Sequence, residues 1–444
     1  MKEILLLGAG KSSTSLIKYL SDNSTHEGWN ITVGDASIEV AKEKIKGLKN
    51  VKAIEFNVND LNLRQCEISK ADIIISMLPP DLHYFVAEDC LRYRRNMVTA
   101  SYVSDKINSL NDKAVDAGII LLNEMGLDPG IDHLSAMKII NEIKEKGGII
   151  QSFKSFTGGL VAPEYNDNPW GYKFTWNPRN VILAGQGTAK YIENNEYRYI
   201  PYNRLYEQIE IIDVHGIGAF EGYANRDSLA YRMHYGLEKV PTILRGTLRT
   251  IGYCKSWNAL VKLGLTDDTY IIEDSEHLTY RDLIKAYLPA FNGNQDIISA
   301  FAAFINENVD SEVMNKIKWL GLFSDEKINL PKATPAFILQ NLLERKWILK
   351  PGDKDMIVMQ HTFEYILDGE TKKLNSSLVV KGDDEKYTAM AKTVGLPLGI
   401  ATKLILNGKI SRKGVQIPVF EEIYLPALEE LKSYGITFHE DSIV

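Results

Sequence analysis

Cysteine is scarce in this sequence: three of the 444 residues are cysteines, Cys66, Cys90 and Cys254. An odd number of widely spaced cysteines without a CxxC pair excludes a disulfide framework and is typical of a reducing compartment. We therefore expect a cytoplasmic protein. The 8 histidines contain no HExxH motif and no close pair, so no catalytic metal is expected.

Dense tracts of positive charge and long apolar runs are also absent. The formal net charge is -7 and the pI is near 5.7, which would repel the phosphate backbone of a nucleic acid. No run approaches the roughly 18 apolar residues of a membrane span, and "MKEILLLGAG" lacks the features of a signal peptide. Neither nucleic acid nor a membrane is therefore an expected partner. The length predicts two or three domains, because single cores stop growing at about 250 to 300 residues.

The chain opens with a strand, a glycine turn and a helix. The apolar run from Ile4 to Leu7 leads into "GAGKSS", and "STSLIKYL" then has apolar residues at helical spacing. In a dinucleotide-binding turn, Gly8 would allow the tight bend, and Gly10 would let the backbone approach a pyrophosphate held by the helix amides. Ser13 stands where a third glycine is usual. The motif alone leaves an ordinary strand-to-helix turn equally open.

Further apolar segments alternate with helical patterns after this turn. They are "NITVGD", "NVKAIEF", "ADIIISML", "NMVTAS" and "GIILLNE". Continuous apolar strands between helices are typical of the α/β class with a Rossmann-type doubly wound parallel sheet, in which ligands bind beyond the carboxyl ends of the strands. The loops at these predicted ends should line one crevice, and they carry Gly8, Asp35, Leu78, Ser101 and Asn123.

Asp35 at the end of the second predicted strand indicates which dinucleotide binds. A carboxylate there can accept bonds from both ribose hydroxyls of NAD and would repel the 2′-phosphate of NADP. We therefore expect NAD. The alternative is that Asp35 only starts the loop or caps the next helix, since aspartate is common in both roles.

The stretch "NEMGLDPGIDH" follows the sixth predicted strand. Asp128 stands where a helix N-cap belongs, and Pro129 would occupy the first helical position. Because this helix would begin at the edge of the crevice, its free amides and the Asp128 carboxylate would also face a bound molecule. His133 could reach the same pocket, although a structural histidine is the favoured interpretation.

The middle of the chain contains a long segment rich in glycine, proline, asparagine and aromatic residues. This segment, Phe156 to Pro178, predicts a structured functional loop. Arginines follow in "ANRDS" and "RGTLR". They could clamp carboxylates in bidentate fashion, or they could be ordinary solvated surface arginines.

Seven motifs in series give the sequence a family resemblance. "ASYVS", "NEMGLDPGIDHL", "GGLVAPE", "NPWGYKFTW", "NRDS", "RGTLR" and "AMAKTVGLP" resemble, in order and rough spacing, the saccharopine reductase family, the glutamate-forming saccharopine dehydrogenases. The resemblance implies a dinucleotide-binding domain (1–128 and 394–444), a mixed-sheet α+β domain for substrate binding and dimerisation (129–264 and 345–393), and a small helical insert (265–344). It also implies a homodimer.

The resemblance further implies a reaction, a substrate and site residues. Saccharopine, which carries three carboxylates, is oxidised at its secondary amine by NAD, and the imine is hydrolysed to L-glutamate and α-aminoadipate semialdehyde. Water addition to the imine requires proton transfer, and the chemistry of their side chains makes Asp128 and Tyr102 the candidates for it. The expected substrate-binding residues are Ser101, Tyr102, Asp128, Trp176, Arg226, Thr247, Leu248 and Arg249. The expected cofactor-binding residues are Gly8, Gly10, Lys11, Ser12, Ser13, Asp35, Leu78, Ser101, Leu127, Asp128 and Pro129.

Two departures from the family pattern affect these expectations. Thr157 stands where the family often has cysteine, so no thiol role carries over. Fungal members, which use NADP, lack an acid at Asp35, whereas the animal catabolic enzymes use NAD, which favours NAD and, more weakly, a degradative direction. Two other functions stay open: a carboxynorspermidine-type dehydrogenase, whose substrates carry fewer carboxylates, and an NAD-binding sensor without turnover. Oxidation of saccharopine by this protein requires that the strand ends converge with Arg226 and Arg249.

Overall fold

A computed structural model describes residues 1–184, 186–289 and 296–443 of the chain. The chain forms two compact units, Met1–Ile150 with Tyr365–Val444, and Gln151–Glu364. We call them the first unit and the second unit. The three domain ranges predicted from the sequence stay a prediction, and residues 290–295 of the predicted helical insert lie outside the described residues.

The helices and strands follow one another along the chain in three stretches. The first stretch alternates strands and helices: β1 (Lys2–Leu7), α1 (Thr14–Glu27), β2 (Trp29–Asp35), α2 (Ile38–Ile45), β3 (Val51–Glu55), α3 (Leu61–Lys70), β4 (Ile73–Ser76), α4 (His83–Tyr93), β5 (Asn96–Thr99), α5 (Asp105–Asn108), α6 (Asn111–Ala117), β6 (Ile120–Leu122) and α7 (Ile131–Glu145). The middle stretch contains β7 (Ile149–Val161), α8 (Pro178–Ile182), β8 (Ala189–Glu193), β9 (Glu196–Ile200), β10 (Ile209–Val214), β11 (Gly218–Ala224), β12 (Thr242–Arg249), α9 (Tyr253–Leu263), α10 (Tyr280–Tyr287), α11 (Ile297–Phe304), α12 (Glu312–Leu320) and α13 (Pro335–Lys346). The last stretch contains β13 (Asp355–Leu367), β14 (Glu370–Lys381), α14 (Ala389–Leu406), β15 (Gly414–Gln416), α15 (Glu421–Lys432) and β16 (His439–Ile443).

The first unit is built on a parallel sheet with strand order β15-β6-β5-β4-β1-β2-β3. All six strands predicted from the apolar segments are present, and β3-β2-β1-β4-β5-β6 is the doubly wound order. Most residues of β1, β2, β4, β5 and β6 are buried, as expected for strands covered by helices on both faces. β15 pairs with β6, so the end of the chain completes this sheet.

Helix α14 packs against α1 within the first unit. Gly395 and Gly399 allow this close approach, because a Cβ at Gly399 would lie 2.4 Å from the Tyr19 ring. Among the described residues, helix α14 is long and apolar enough to cross a membrane by length and composition. Because most of it is buried inside the protein, we identify it as a core helix.

The second unit contains a mixed sheet. Strand β11 is antiparallel to its neighbours β10 and β12, β12 is parallel to β7, and β13 follows β7 in the strand order. The β8–β9 hairpin adds to β12. The long loop predicted from Phe156 is wrong over its first residues, because Phe156 to Val161 belong to β7. A Cβ at Gly158 in this strand would be 2.8 Å from the Leu248 carbonyl oxygen, so glycine here permits a close backbone approach.

Candidate functional site

The glycine turn after β1 leaves the start of the following helix open. Gly8 has a φ of +100°, and a Cβ there would lie 2.8 Å from the Met77 carbonyl oxygen, so this position requires glycine. Gly10 is exposed, and a Cβ there would meet open space. Neither the short 3₁₀ turn Lys11–Ser13 nor α1 has a side-chain cap. The amides at this helix start can therefore bind an anion.

The Asp35 carboxylate binds two backbone amides. Its Oδ2 accepts a hydrogen bond from the Ala9 amide at 2.7 Å, and its Oδ1 accepts one from the Ser37 amide at 3.0 Å. Asp35 thus ties the end of β2 to the glycine turn and to the start of α2. This arrangement agrees with the alternative interpretation of Asp35 as a residue that starts a loop.

A buried histidine connects the carboxyl ends of β4 and β5. His83 Nδ1 lies 2.8 Å from the Ser76 hydroxyl, and His83 Nε2 lies 2.7 Å from the Ser101 hydroxyl. His83 is 3% exposed, and burial lowers its pKa to about 4. The sequence predicts Ser101 as a site residue but does not single out His83. The only signal for His83 is its position just after "LPPDL", at the start of the helix that follows a predicted strand end.

The pKa of His83 predicts an acid-sensitive fold. In the unfolded chain His83 would titrate near the ordinary value of about 6.5, so between about pH 6.5 and 4 the unfolded state binds more protons than the folded state. The contribution to the free energy of unfolding is present above pH 6.5 and is lost as the pH falls to 4, by up to about 3 kcal/mol. Urea unfolding at pH 7 and 4.5 should show a smaller pH dependence for His83→Gln than for the wild type. Equal pH dependence would contradict this prediction.

The segment before α7 differs from its predicted form. Helix α7 begins at Ile131 with Gly130 as its N-cap, so Asp128 is not the cap and Pro129 is not in the first helical position. The reason is a tight turn in which the Gly126 amide donates to the Pro129 carbonyl at 2.9 Å. The Asp128–Pro129 peptide bond in this turn is cis. Asp128 is half-buried, and its Oδ1 accepts a hydrogen bond from the Tyr102 hydroxyl at 3.3 Å.

A buried Glu124–His133 pair supports this turn. Glu124 Oε2 lies 2.8 Å from His133 Nε2, and Glu124 Oε1 accepts a hydrogen bond from the Val103 amide at 3.0 Å. Both side chains are almost fully buried, which agrees with the structural interpretation of His133. Because Val103 follows Tyr102 directly, the pair fixes the loop that carries the Tyr102 hydroxyl. Leu127 and Pro129 are buried in the same turn.

Arg249 lies in a cage of tyrosine rings in the second unit. We call Tyr172, Tyr223 and Tyr253 the tyrosine cage; their ring centroids lie 5.2, 5.9 and 5.4 Å from the guanidinium carbon. Burial raises the pKa of each of these tyrosines, so the rings stay neutral. Glu221 pairs with Arg249 across the two strands, but its carboxylate does not bind the guanidinium. It accepts hydrogen bonds from the Gly252 and Cys254 amides at the start of α9.

The Arg249 side chain is 4% exposed, and its Nε has no hydrogen-bond partner. Its Nη1 donates to the Leu248 carbonyl at 2.9 Å. Over residues 1–184, 186–289 and 296–443, no carboxylate forms an ion pair with this guanidinium. A buried cation without an anion costs several kcal/mol, and a bound carboxylate would offset that cost.

The other predicted substrate residues of the second unit fall into two groups. Trp176 lies beside the Tyr172 hydroxyl and Thr247 lies beside the Tyr223 hydroxyl, and each contact acts to lower the pKa of its tyrosine. Leu248 is buried. Arg226 is not part of this group. Arg226 is exposed and lies two residues beyond Ala224, the last residue of β11. Glu221 of β11 pairs with Arg249, so Arg226 lies roughly 16 Å from Arg249 along the strand direction. The convergence of both arginines with the strand ends of the first unit stays a prediction.

Comparisons with known proteins cover the whole chain. The family model described as "Saccharopine dehydrogenase NADP binding domain" matches residues 4–122, and "Saccharopine dehydrogenase C-terminal domain" matches residues 126–436. The chain is 36% identical to saccharopine dehydrogenase [NADP(+), L-glutamate-forming] of Schizosaccharomyces pombe, covering 100% of this chain and 99% of that protein. It is 35% identical to the mitochondrial alpha-aminoadipic semialdehyde synthase of Bos taurus, covering 48% of that protein.

A solved structure also matches over the full length. Apo saccharopine dehydrogenase (L-Glu forming) from Saccharomyces cerevisiae is 35% identical and aligns with a TM-score of 0.90, covering 100% of both chains. The homospermidine synthase of Legionella pneumophila, at 10% identity and a TM-score of 0.57, shares the fold alone.

These comparisons correct the predicted cofactor. The prediction of NAD is wrong, because the matching domain is an NADP-binding domain and the fungal relatives are named for NADP(+). The inference failed because it assigned the Asp35 carboxylate to a ribose, whereas this carboxylate holds the Ala9 and Ser37 amides. With two family models and full-length relatives in agreement, the chain belongs to the saccharopine dehydrogenase (L-glutamate-forming) family.

Proposed function

We propose that this protein oxidises saccharopine with NADP⁺ in lysine metabolism, reversibly through an imine, and releases L-glutamate and α-aminoadipate semialdehyde. The names of the full-length relatives support the reaction. The observation that carries the proposal is the buried Arg249 in its tyrosine cage. Saccharopine carries three carboxylates in a protein of net negative charge, so its binding requires local cations of this kind.

The first unit fits a dinucleotide. The open glycine turn and the uncapped helix start would hold the pyrophosphate through backbone amides, with Lys11, Ser12 and Ser13 in that turn. The bound cofactor supplies a nicotinamide that accepts a hydride from the substrate carbon. Leu78 and Ser101, just after β4 and β5, stand at the same sheet edge and would contact it.

Tyr102 and Asp128 form the pair that we assign to proton transfer. Hydrolysis of the imine adds a water molecule and releases the amine of glutamate, so protons must leave the water and reach the nitrogen. The Asp128 carboxylate, held by the Tyr102 hydroxyl at 3.3 Å, is the group that would accept the proton from water. Trp176 and Arg226 are proposed as substrate contacts of the second unit.

A cluster of lysines near the glycine turn favours NADP⁺. Lys44 Nζ donates to the Thr14 hydroxyl at 2.5 Å, and Thr14 Oγ1 donates to the Lys11 carbonyl at 3.2 Å. Burial lowers the pKa of Lys44, and the charges of Lys386 and Lys11 lower it further. Within the described part of the chain none of the three lysines forms an ion pair. Such a cluster would gain stability from the 2′-phosphate of NADP⁺.

Replacing Lys44 should weaken NADP⁺ binding selectively. We expect Lys44→Ala to raise the KM for NADP⁺ by about tenfold to a hundredfold, because a charge-assisted hydrogen bond contributes about 1.5 to 3 kcal/mol, and to leave the KM for saccharopine unchanged. Steady-state kinetics with each substrate varied in turn would measure both values. Lys42→Ala, on the exposed side of the same helix, is the matched control. An equal rise in both variants would contradict the assignment.

We also propose a cytoplasmic homodimer. Two edge strands of the second unit expose apolar side chains, with Tyr199 of β9 and Ile211 of β10 each 61% exposed, and such exposure supports an interface. The three unpaired cysteines suit a reducing compartment. Light scattering should give twice the 50.1 kDa mass of the chain; a monomeric mass at micromolar concentration would contradict the dimer.

A coupled assay tests the proposed reaction. Purified protein with saccharopine and NADP⁺ should produce NADPH and L-glutamate in equal amounts, measured by absorbance and amino-acid analysis. NADPH formation without glutamate would indicate a related imine reaction such as that of a carboxynorspermidine-type dehydrogenase. Absence of turnover with every amine tested would leave dinucleotide binding as the function and would refute the proposal.

A further inference from the structure

Three hydroxyl groups surround the His83 imidazole at the ends of β4 and β5. Nδ1 is 2.8 Å from the Ser76 hydroxyl, and Nε2 is 2.7 Å from the Ser101 hydroxyl and 3.4 Å from that of Thr99. No charged group of the described residues bonds or pairs with the ring. Ser76 is fully buried, whereas Ser101 is half-buried, so only Ser101 can also reach a ligand.

The imidazole is neutral at pH 7, because burial lowers its pKa to about 4. A neutral ring has one N–H donor and one acceptor nitrogen. In one tautomer Nε2 donates to Ser101 Oγ, and in the other it accepts the Ser101 hydroxyl proton. In either case the Ser101 hydroxyl is held in one orientation. The Ser101 amide adds a 3.3 Å hydrogen bond to the Thr99 hydroxyl.

We propose that His83 is a positioning residue, which fixes the Ser101 hydroxyl in the orientation that contacts the bound dinucleotide. This inference rests on the proposed function, since it takes Ser101 as a ligand contact. His83 begins α4, the helix that follows β4, and therefore stands on the side of the sheet where ligands of doubly wound folds bind. A histidine that only filled space in the core would not need a hydrogen bond to Ser101, the one hydroxyl of the three that a ligand can reach.

A double-mutant cycle separates this role from a general structural role. The proteins are wild type, His83→Asn, Ser101→Ala and the double variant. The shorter asparagine side chain would reach Ser76 but not Ser101. We expect His83→Asn to weaken NADPH binding and to lower kcat/KM by about tenfold, the worth of one hydrogen bond. In the Ser101→Ala background the same change should have almost no further effect.

His83→Gln serves as the rescue variant, because its longer amide can replace Nε2 and should restore binding to within about threefold of wild type. If His83→Asn does not fold, as judged by circular dichroism, His83→Phe replaces it in the cycle. Ser24→Ala, which removes another buried hydroxyl of the first unit, is the control and should bind NADPH normally.

Fluorescence titration with NADPH gives the decisive reading, because it does not require turnover. Independent losses from the two single variants, with no coupling, would overturn the role of His83. Coupling in NADPH binding without saccharopine turnover by the wild type would support the inference while refuting the proposed reaction. Coupling together with turnover would support both.

Discussion

Arg249→Met is expected to lower kcat/KM for saccharopine by roughly a hundredfold to a thousandfold. Arg249 is 4% exposed, and its Nε has no hydrogen-bond partner, so a substrate carboxylate would be the ionic partner of its guanidinium. Removing one member of a buried charge pair costs about 2 to 5 kcal/mol in binding. The KM for NADP⁺ should change little, since the glycine turn and the lysine cluster belong to the first unit.

The same substitution should have an unusual effect on stability. Methionine removes a desolvated cation without an anionic partner, which favours the folded state, and it also removes cation–π contacts worth about 0.5 to 2 kcal/mol each. We therefore expect the free energy of unfolding of the ligand-free protein to stay within about 1 kcal/mol of wild type. Arg204→Met, at an exposed arginine of the same unit, is the control. A normal KM for saccharopine in Arg249→Met would contradict the carboxylate assignment.

Gly130→Ala is expected to produce the largest combined loss of stability and activity. Gly130 has a φ of +149°, and a Cβ there would lie 2.0 Å from the Gly126 carbonyl oxygen. That oxygen also accepts the Ile131 amide at 2.9 Å, so the backbone would have to move and would displace Asp128 from Tyr102. We expect the free energy of unfolding to fall by about 3 to 5 kcal/mol and kcat/KM to fall at least about a hundredfold.

Gly118→Ala is the control that separates the effect of the steric clash at Gly130 from the effect of a positive φ. Gly118 also has a positive φ, +71°, but a Cβ there would meet open space. It should cost about 1 kcal/mol and leave activity unchanged. Urea unfolding and steady-state kinetics on both variants measure these values. Equal stability of the two variants would show that the Gly126–Gly130 turn is not required.

The parallel sheet could be predicted from the sequence because its signal is local. Strands β1, β4 and β6 contain continuous apolar runs, and Gly8, Asp35 and Ser76 mark the ends of β1, β2 and β4. The turn before α7 could not be predicted in the same way. Asp128 and Pro129 have the residue types of a helix start, but the pairing of Gly126 with Gly130 places them in a turn, and the Asp132 carboxylate accepts the Gly130 amide.

The candidate site depended on contacts between residues distant in sequence. Arg249 was identified through family resemblance, but the three tyrosines around it come from separate segments and have no common spacing. His83 could not be predicted from local spacing either, since its partners Ser76 and Ser101 lie at the ends of two different strands. Asp35 was predicted as a cofactor ligand from its residue type and position. Its carboxylate instead binds the Ala9 and Ser37 amides and stabilises the fold.

A crystal structure of the protein with NADPH and saccharopine would test the central claim most directly. The account predicts a saccharopine carboxylate within about 3 Å of the Arg249 guanidinium, at charge-assisted hydrogen-bond distance, and the dinucleotide pyrophosphate at the amides of the glycine turn. Saccharopine bound with all three carboxylates away from Arg249, and the tyrosine cage without an anion, would contradict it.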